Sequence, residues 1–286
     1  MKKIIRTDLA AEAHKLSQEE GKKLEGIIVR NEVNNGLDVS VIEITNEKGE
    51  EILGKAIGTY ITIDCPNLRY SCDELENVCK VMAQEIRKLT KINSNSVTLV
   101  VGLGNREITP DALGTEATSQ VMVTHHLKDS IKEAMGNKIS NVCAITPGVL
   151  GTTGLESSKT IKSISQALKP DLVIVIDALA AADIERVAST IQISDAGIQP
   201  GAGVGNNREG INKEALGTKV IAIGVPTVID ARNISEVEIP KVLSPLMVTT
   251  TDIDLVIKKC AKAIAGGINL ALHENITLEE IMAFTA

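Results

Sequence analysis

Leu172-Val-Ile-Val-Ile-Asp177 and Val97-Thr-Leu-Val-Val-Gly102-Leu-Gly104-Asn105 are the stretches that decide how this chain folds. Each is a short aliphatic run, the pattern of a parallel strand buried on both faces. An acid closes the first run. The second passes through its glycines into Arg106-Glu-Ile-Thr-Pro-Asp111-Ala-Leu-Gly114, so another acid follows that strand. In an open α/β sheet, ligands and chemistry collect in the crevice outside the carboxyl ends of the strands. Asp111 and Asp177 are therefore the candidate functional residues.

Outward from these runs the pattern is α/β alternation. Val142–Ile145 and Val220–Val225 read as strands, and Glu116–Leu127, Ser157–Leu168 and Ile253–His273 as helices. Before Val97 a helix is expected from about Ala10 to Glu25. Strands follow at Gly26–Arg30, Leu37–Thr45 and Ile57–Asp64, with a turn at Asn46–Gly49. The two longer strands alternate apolar and polar residues, as antiparallel strands with one wet face do. Asp73 is placed to cap a helix reaching Thr90. The fold expected is a single α/β domain, a mixed, largely parallel sheet flanked by helices with an antiparallel N-terminal appendage.

Composition narrows the function. Aliphatic residues and alanine supply most of the 43% hydrophobic content, with no Trp and one Phe. A net charge of −7 argues against a direct nucleic-acid surface, which needs a basic footprint. No apolar run reaches the roughly 18 residues of a membrane span, and Met1-Lys-Lys-Ile-Ile-Arg6 lacks the features of a secretory signal. The five cysteines, Cys65, Cys72, Cys79, Cys143 and Cys260, include no C-x-x-C pair. They read as buried thiols of a cytoplasmic protein.

Several motifs have a plain reading beside a functional one. Gly102-Leu-Gly104-Asn105 lacks the third glycine of a dinucleotide fingerprint, since Glu107 stands there, so the glycines serve a tight turn and a close approach. Asp111 follows Thr109-Pro110, which also suits an acid that merely starts a helix. Asp177, embedded among aliphatic residues, must be paired, hydrogen-bonded or protonated. Gly197-Ile-Gln-Pro-Gly201-Ala-Gly203-Val-Gly205 packs four glycines into nine residues. That loop is a connection, a lid or a backbone surface for an extended peptide, which makes Gly201, Gly203 and Gly205 candidate substrate-binding residues. Pro147-Gly148 and Gly151-Thr-Thr-Gly154 form a similar segment. His125-His126, expected late in a helix, point to different faces and suit no single metal. Two carboxyl groups sharing one proton at strand ends suit peptide-bond hydrolysis, one activating water while the other protonates the leaving group.

The blocks Arg6-Thr-Asp-Leu-Ala10, Val101-Gly-Leu-Gly-Asn105, Thr109-Pro-Asp-Ala-Leu-Gly114, Thr146-Pro-Gly-Val-Leu-Gly-Thr-Thr-Gly154, Asp177-Ala-Leu-Ala-Ala181, Thr190-Ile-Gln-Ile-Ser-Asp-Ala-Gly197 and Ala265-Gly-Gly-Ile-Asn-Leu-Ala-Leu-His-Glu274 occur in one order. In them the chain resembles the germination proteases of endospore-forming bacteria, endopeptidases that degrade small acid-soluble spore proteins. The resemblance implies that Asp111 and Asp177 are the essential acids. It further implies a zymogen that trims its own N terminus, a homotetramer, and a place in the cytoplasm of the developing spore and the spore core. Family substrates are cut after an acid and before an apolar residue, which Thr7-Asp8-Leu9-Ala10 mimics. Residues 1–8 are thus the candidate prosegment, Asp8 and Leu9 the processing site, and 9–286 the endopeptidase domain. Departures stand at His125-His126, where the family has Arg-His, and at Thr115, where it has proline. No cofactor and no metal are expected. The alternatives are a metal held between carboxylates with Glu107 or Glu116, as in the distantly similar hydrogenase maturation proteases, and a non-catalytic peptide-binding assembly protein.

Overall fold

The computed structural model describes residues 7–68, 74–91, 93, 95–127, 139–201, 209–234, 245–273 and 276–285. Cys72, Asp73, Gly203 and Gly205 lie outside the described residues.

The two aliphatic runs form β4 (Val97–Gly102) and β6 (Leu172–Ala181), neighbours in the parallel half of a nine-stranded mixed sheet. With β1 (Ile27–Asn34), β2 (Leu37–Ile44), β3 (Gly58–Asp64), β5 (Asn141–Ile145), β7 (Thr190–Ser194) and β8 (Lys219–Asp230), the order is β1-β2-β3-β7-β8-β6-β4-β5. The short β9 (Met247–Val248) pairs with β8. Strands β5, β4, β6 and β8 run parallel. The antiparallel N-terminal strands are present and continue the same sheet through β3 and β7.

Why β4 and β6 are almost wholly apolar follows from packing. Leu99 and Val101 of β4 and Val173 and Val175 of β6 face a core with Ile161 of the helix Ser157–Leu168. Val100, Leu172, Ile174 and Ile176 face the opposite core. There the helices α3 (Leu75–Leu89) and Ile253–Leu272 pack. With helices on both sides, neither set of alternate residues meets water. The Gly266-Gly267 pair inside Ile253–Leu272 lets that helix press on α3. A Cβ at Gly267 would lie 2.7 Å from Met82 Cβ, and one at Gly266 2.6 Å from Cys79 Sγ.

Four expectations are corrected. The N-terminal helix spans only Ala10–Glu19, and the chain beyond it turns through Gly21, which has a positive φ. Asn46–Gly49 is no turn. Asn46 caps the helix Glu47–Leu53, its side chain accepting from Gly49 N–H at 3.1 Å. The helix expected over Glu116–Leu127 is the short α4, Leu113–Thr118. Past it Gln120 and Val121 N–H close tight turns onto Ala117 and Thr118 C=O, and from Met122 on the partners are distant: Met122 N–H donates to Asn269 Oδ1, and Thr124 and His125 N–H to Val142 C=O. His125 and His126 consequently sit exposed in a turn. Finally, β6 continues four residues past Asp177, which lies inside the strand, paired with Gly224 of β8.

Candidate active site

The sheet order creates a switch point between β4 and β6. Beyond β4 the chain crosses to β5 on one side, and beyond β6 it continues to β7 and β8 on the other. Such a divergence opens a crevice at the carboxyl ends of the two strands. A cleft of about 750 Å³ lies there, and both Asp111 and Asp177 line it.

Each acid is positioned by backbone. After β4, Leu103 N–H donates to Ile176 C=O at 2.8 Å, fastening the turn to β6 one residue before Asp177. Gly104 takes φ +100°, and a Cβ there would meet Asp111 C=O at 1.9 Å, so only glycine admits the 3₁₀ turn Thr109–Asp111 against it. Asp111 Oδ2 accepts Asn105 N–H at 2.8 Å, tying the acid back onto the glycine turn. Asp177 is 7% exposed, and its Oδ1 accepts Ala178 N–H at 2.9 Å. Asp111 and Asp177, far apart in the sequence, both line the cleft.

Other expected residues arrive in part. Gly201, at φ +75°, lines the cleft with Ile198 and Pro200; its companions Gly203 and Gly205 lie outside the described residues. Val149 and Ser157, flanking the glycine segment after β5, line it as well. Glu116 pairs with Arg106 at 3.7 Å, and Glu107 is exposed. Among the described residues no group of three or more His, Cys, Asp or Glu is arranged to hold a metal ion. Cys65, Cys79 and Cys260 are buried, and burial raises all three thiols, the last two to about 12. They are core residues.

Residues 1–6 of the expected prosegment lie outside the described residues, and the described segment that begins at Thr7 runs along the same cleft. Asp8 lines it, Asp8 N–H donates to Ala180 C=O at 2.9 Å, and Ala180 N–H donates to Asp8 Oδ2 at 2.8 Å. Leu9 is fully buried. Glu12 anchors the following turn by accepting the Ala182 and Asp183 N–H groups and the Thr7 hydroxyl. Two residues that the sequence reading passed over hold this segment. Gln192 accepts Ala10 N–H and donates to Asp8 C=O, and Lys55 Nζ donates to Thr7 C=O at 2.8 Å. A signal existed for Gln192, a polar residue between Ile191 and Ile193 in a short β-patterned run. None existed for Lys55.

Fold and site thus define an α/β chain with two acids, one after β4 and one within β6, lining one switch-point cleft. Comparison with known proteins gives the family. A sequence model described as germination protease matches residues 4–244, and the chain belongs to that family. It is 43% identical to the germination protease of Caldanaerobacter subterraneus subsp. tengcongensis, over 97% of each chain. To that of Clostridium tetani it is 39% identical over 98% of this chain and 99% of the relative. To that of Bacillus cereus it is 37% identical over 98% and 97%. Among solved structures, it is similar to a NiFe hydrogenase maturation protease from Thermococcus kodakarensis, at 17% identity and a TM-score of 0.35 over 60% of this chain and 92% of that one. The family makes this chain a protease, a hydrolase of peptide bonds. Among the described residues, no helix is long and apolar enough to cross a membrane.

Proposed function

We propose that this chain is an endopeptidase of aspartic type in which Asp111 and Asp177 share one proton. The ionised member takes a proton from water as the water attacks the scissile carbonyl. The protonated member polarises the carbonyl oxygen and then delivers its proton to the departing amine. Carboxyls coupled in this way titrate as a pair, so acid and base are roles of the pair and not of one residue. The observation that carries the reading is that both acids line one cleft at the switch point between β4 and β6.

The substrates are small acid-soluble spore proteins, in the cytoplasm of the spore, and the working form is a homotetramer. Membership of the germination protease family supports this. The chain is made as a zymogen with residues 1–8 as prosegment, cut between Asp8 and Leu9. Asp8 in the cleft supports that part. Because Leu9 is fully buried, attack on the Asp8–Leu9 bond requires the start of the first helix to loosen.

The test is Asp111→Asn and Asp177→Asn, each checked for an unchanged far-ultraviolet circular dichroism spectrum. Loss of a general acid or base costs about 10²–10⁴ in rate. Both variants are expected to lose at least about 100-fold in cleavage of a disordered spore protein and to keep their N-terminal mass on incubation. A folded variant that cuts at the wild-type rate would falsify the pair.

A further inference from the structure

Strand β6 outruns β4. The two pair only as far as Gly102 and Ile176, whereas β6 continues to Ala181. On that edge Ile176 C=O serves Leu103 N–H, and the peptide groups of Ala178 and Ala180 follow on the same side, because alternate residues of a strand share an edge. An edge of this kind takes an added extended peptide through main-chain hydrogen bonds. Asp8 does so here. Its N–H reaches Ala180 C=O, and its carboxylate accepts Ala180 N–H.

The surroundings of Asp8 fit an acid. Lys55, half-buried in the cleft wall, donates to the neighbouring Thr7 carbonyl. Burial lowers the pKa of its ammonium, and the charges of Asp8 and Glu12 oppose that shift. Gln192, 7% exposed on β7, holds the Asp8 carbonyl and the Ala10 N–H, so it reads the main chain on either side of Leu9. A cation, an edge N–H and a bidentate amide therefore converge on one short segment. Ala180 lies three residues along β6 from Asp177, about 10 Å in an extended strand.

We infer that Lys55, Gln192 and the Ala180 peptide group form a subsite for an acidic residue of an extended peptide substrate, which Asp8 fills in this chain. The inference rests on the protease reading above and names the residues that select its substrate. Lys55 supplies the selectivity, since a side-chain amide in place of the carboxylate keeps a hydrogen bond to Ala180 through its oxygen but loses the attraction of the ammonium. Gln192 sets the register and is indifferent to side-chain charge. Asp8 is a competitor for the subsite until it leaves.

The test reads binding, so it decides the subsite whether or not the aspartate pair is the catalyst. That pair is judged separately, by turnover in its own single variants. A fluorescent peptide copying residues 4–12 and a second with Asn in place of its Asp are titrated onto the full chain carrying Asp8→Ala and Asp177→Asn. The Asp peptide is expected to bind at least about 10-fold more tightly than the Asn peptide. Adding Lys55→Gln should remove the difference, Lys55→Arg should keep most of it, and restoring Asp8 should weaken binding of the Asp peptide several-fold. Equal affinity for the two peptides, or a preference that survives Lys55→Gln, overturns the inference. Should Lys55→Gln fail to fold, the comparison of the two peptides and the effect of Asp8 still decide it: no preference, or no competition by Asp8, rejects the subsite.

Discussion

His273 ends the helix Ile253–Leu272 with its ring almost wholly out of water, 1% exposed. Burial lowers its pKa to about 4 from the ordinary 6.5, while the backbone of Met122 pulls the other way. Between pH 6.5 and about 4 the unfolded chain therefore binds a proton here that the folded chain refuses. Stability is fully present above pH 6.5 and falls as pH falls, by up to about 1.4 kcal/mol per pH unit from this group. Urea unfolding of wild type and His273→Gln across that window is expected to show a flatter decline in the variant. Matching slopes would mean the imidazole titrates normally. At this scale nothing local in the sequence announced the burial of His273. Asp177 is different, because the aliphatic residues before it in the sequence already imply poor solvation.

The helix Ile253–Leu272 was legible from its apolar periodicity in spite of Gly266-Gly267, but the reason for the glycines was not. They meet α3 at contact distance. In an exposed helix, Gly→Ala gains about 1 kcal/mol. At Gly267 the new methyl would sit 2.7 Å from Met82 Cβ, which no rotamer change moves, and overpacking costs about 1–3 kcal/mol. Gly267→Ala is expected to lower the melting temperature; a rise would refute the contact. Helix α4 gives the opposite lesson. Propensity favoured running it to Leu127, yet past Thr118 the Gln120 and Val121 N–H groups turn to carbonyls three residues back, and Asn269 and Val142 then capture those of Met122, Thr124 and His125. Those partners are far away in the chain, and local periodicity carries no trace of them.

Across the whole molecule, β3 and β7 weld the antiparallel N-terminal strands to the parallel half. Ile61 pairs with Ile193 and Ile63 with Ile191, and all four belong to the main core. The N-terminal strands should therefore open only with that core, as one cooperative unit. Hydrogen exchange is expected to protect the Ile61 and Ile63 amides to the same degree as Ile191 and Ile193; exchange of β3 orders of magnitude faster than β7 would show an independent appendage. The amino-acid order alone determined that the chain builds a buried parallel sheet and which two acids follow its aliphatic runs. Both follow from hydrophobic period and from where aliphatic runs stop, which are local properties. Only the tertiary structure decided that β7 inserts between β3 and β8, that Asp111 and Asp177 face one cleft, and that Lys55 and Gln192 grip Asp8 within it. Those are contacts between segments up to 184 residues apart, made by strand order and edge pairing, and no local pattern encodes the side of the sheet on which distant segments meet.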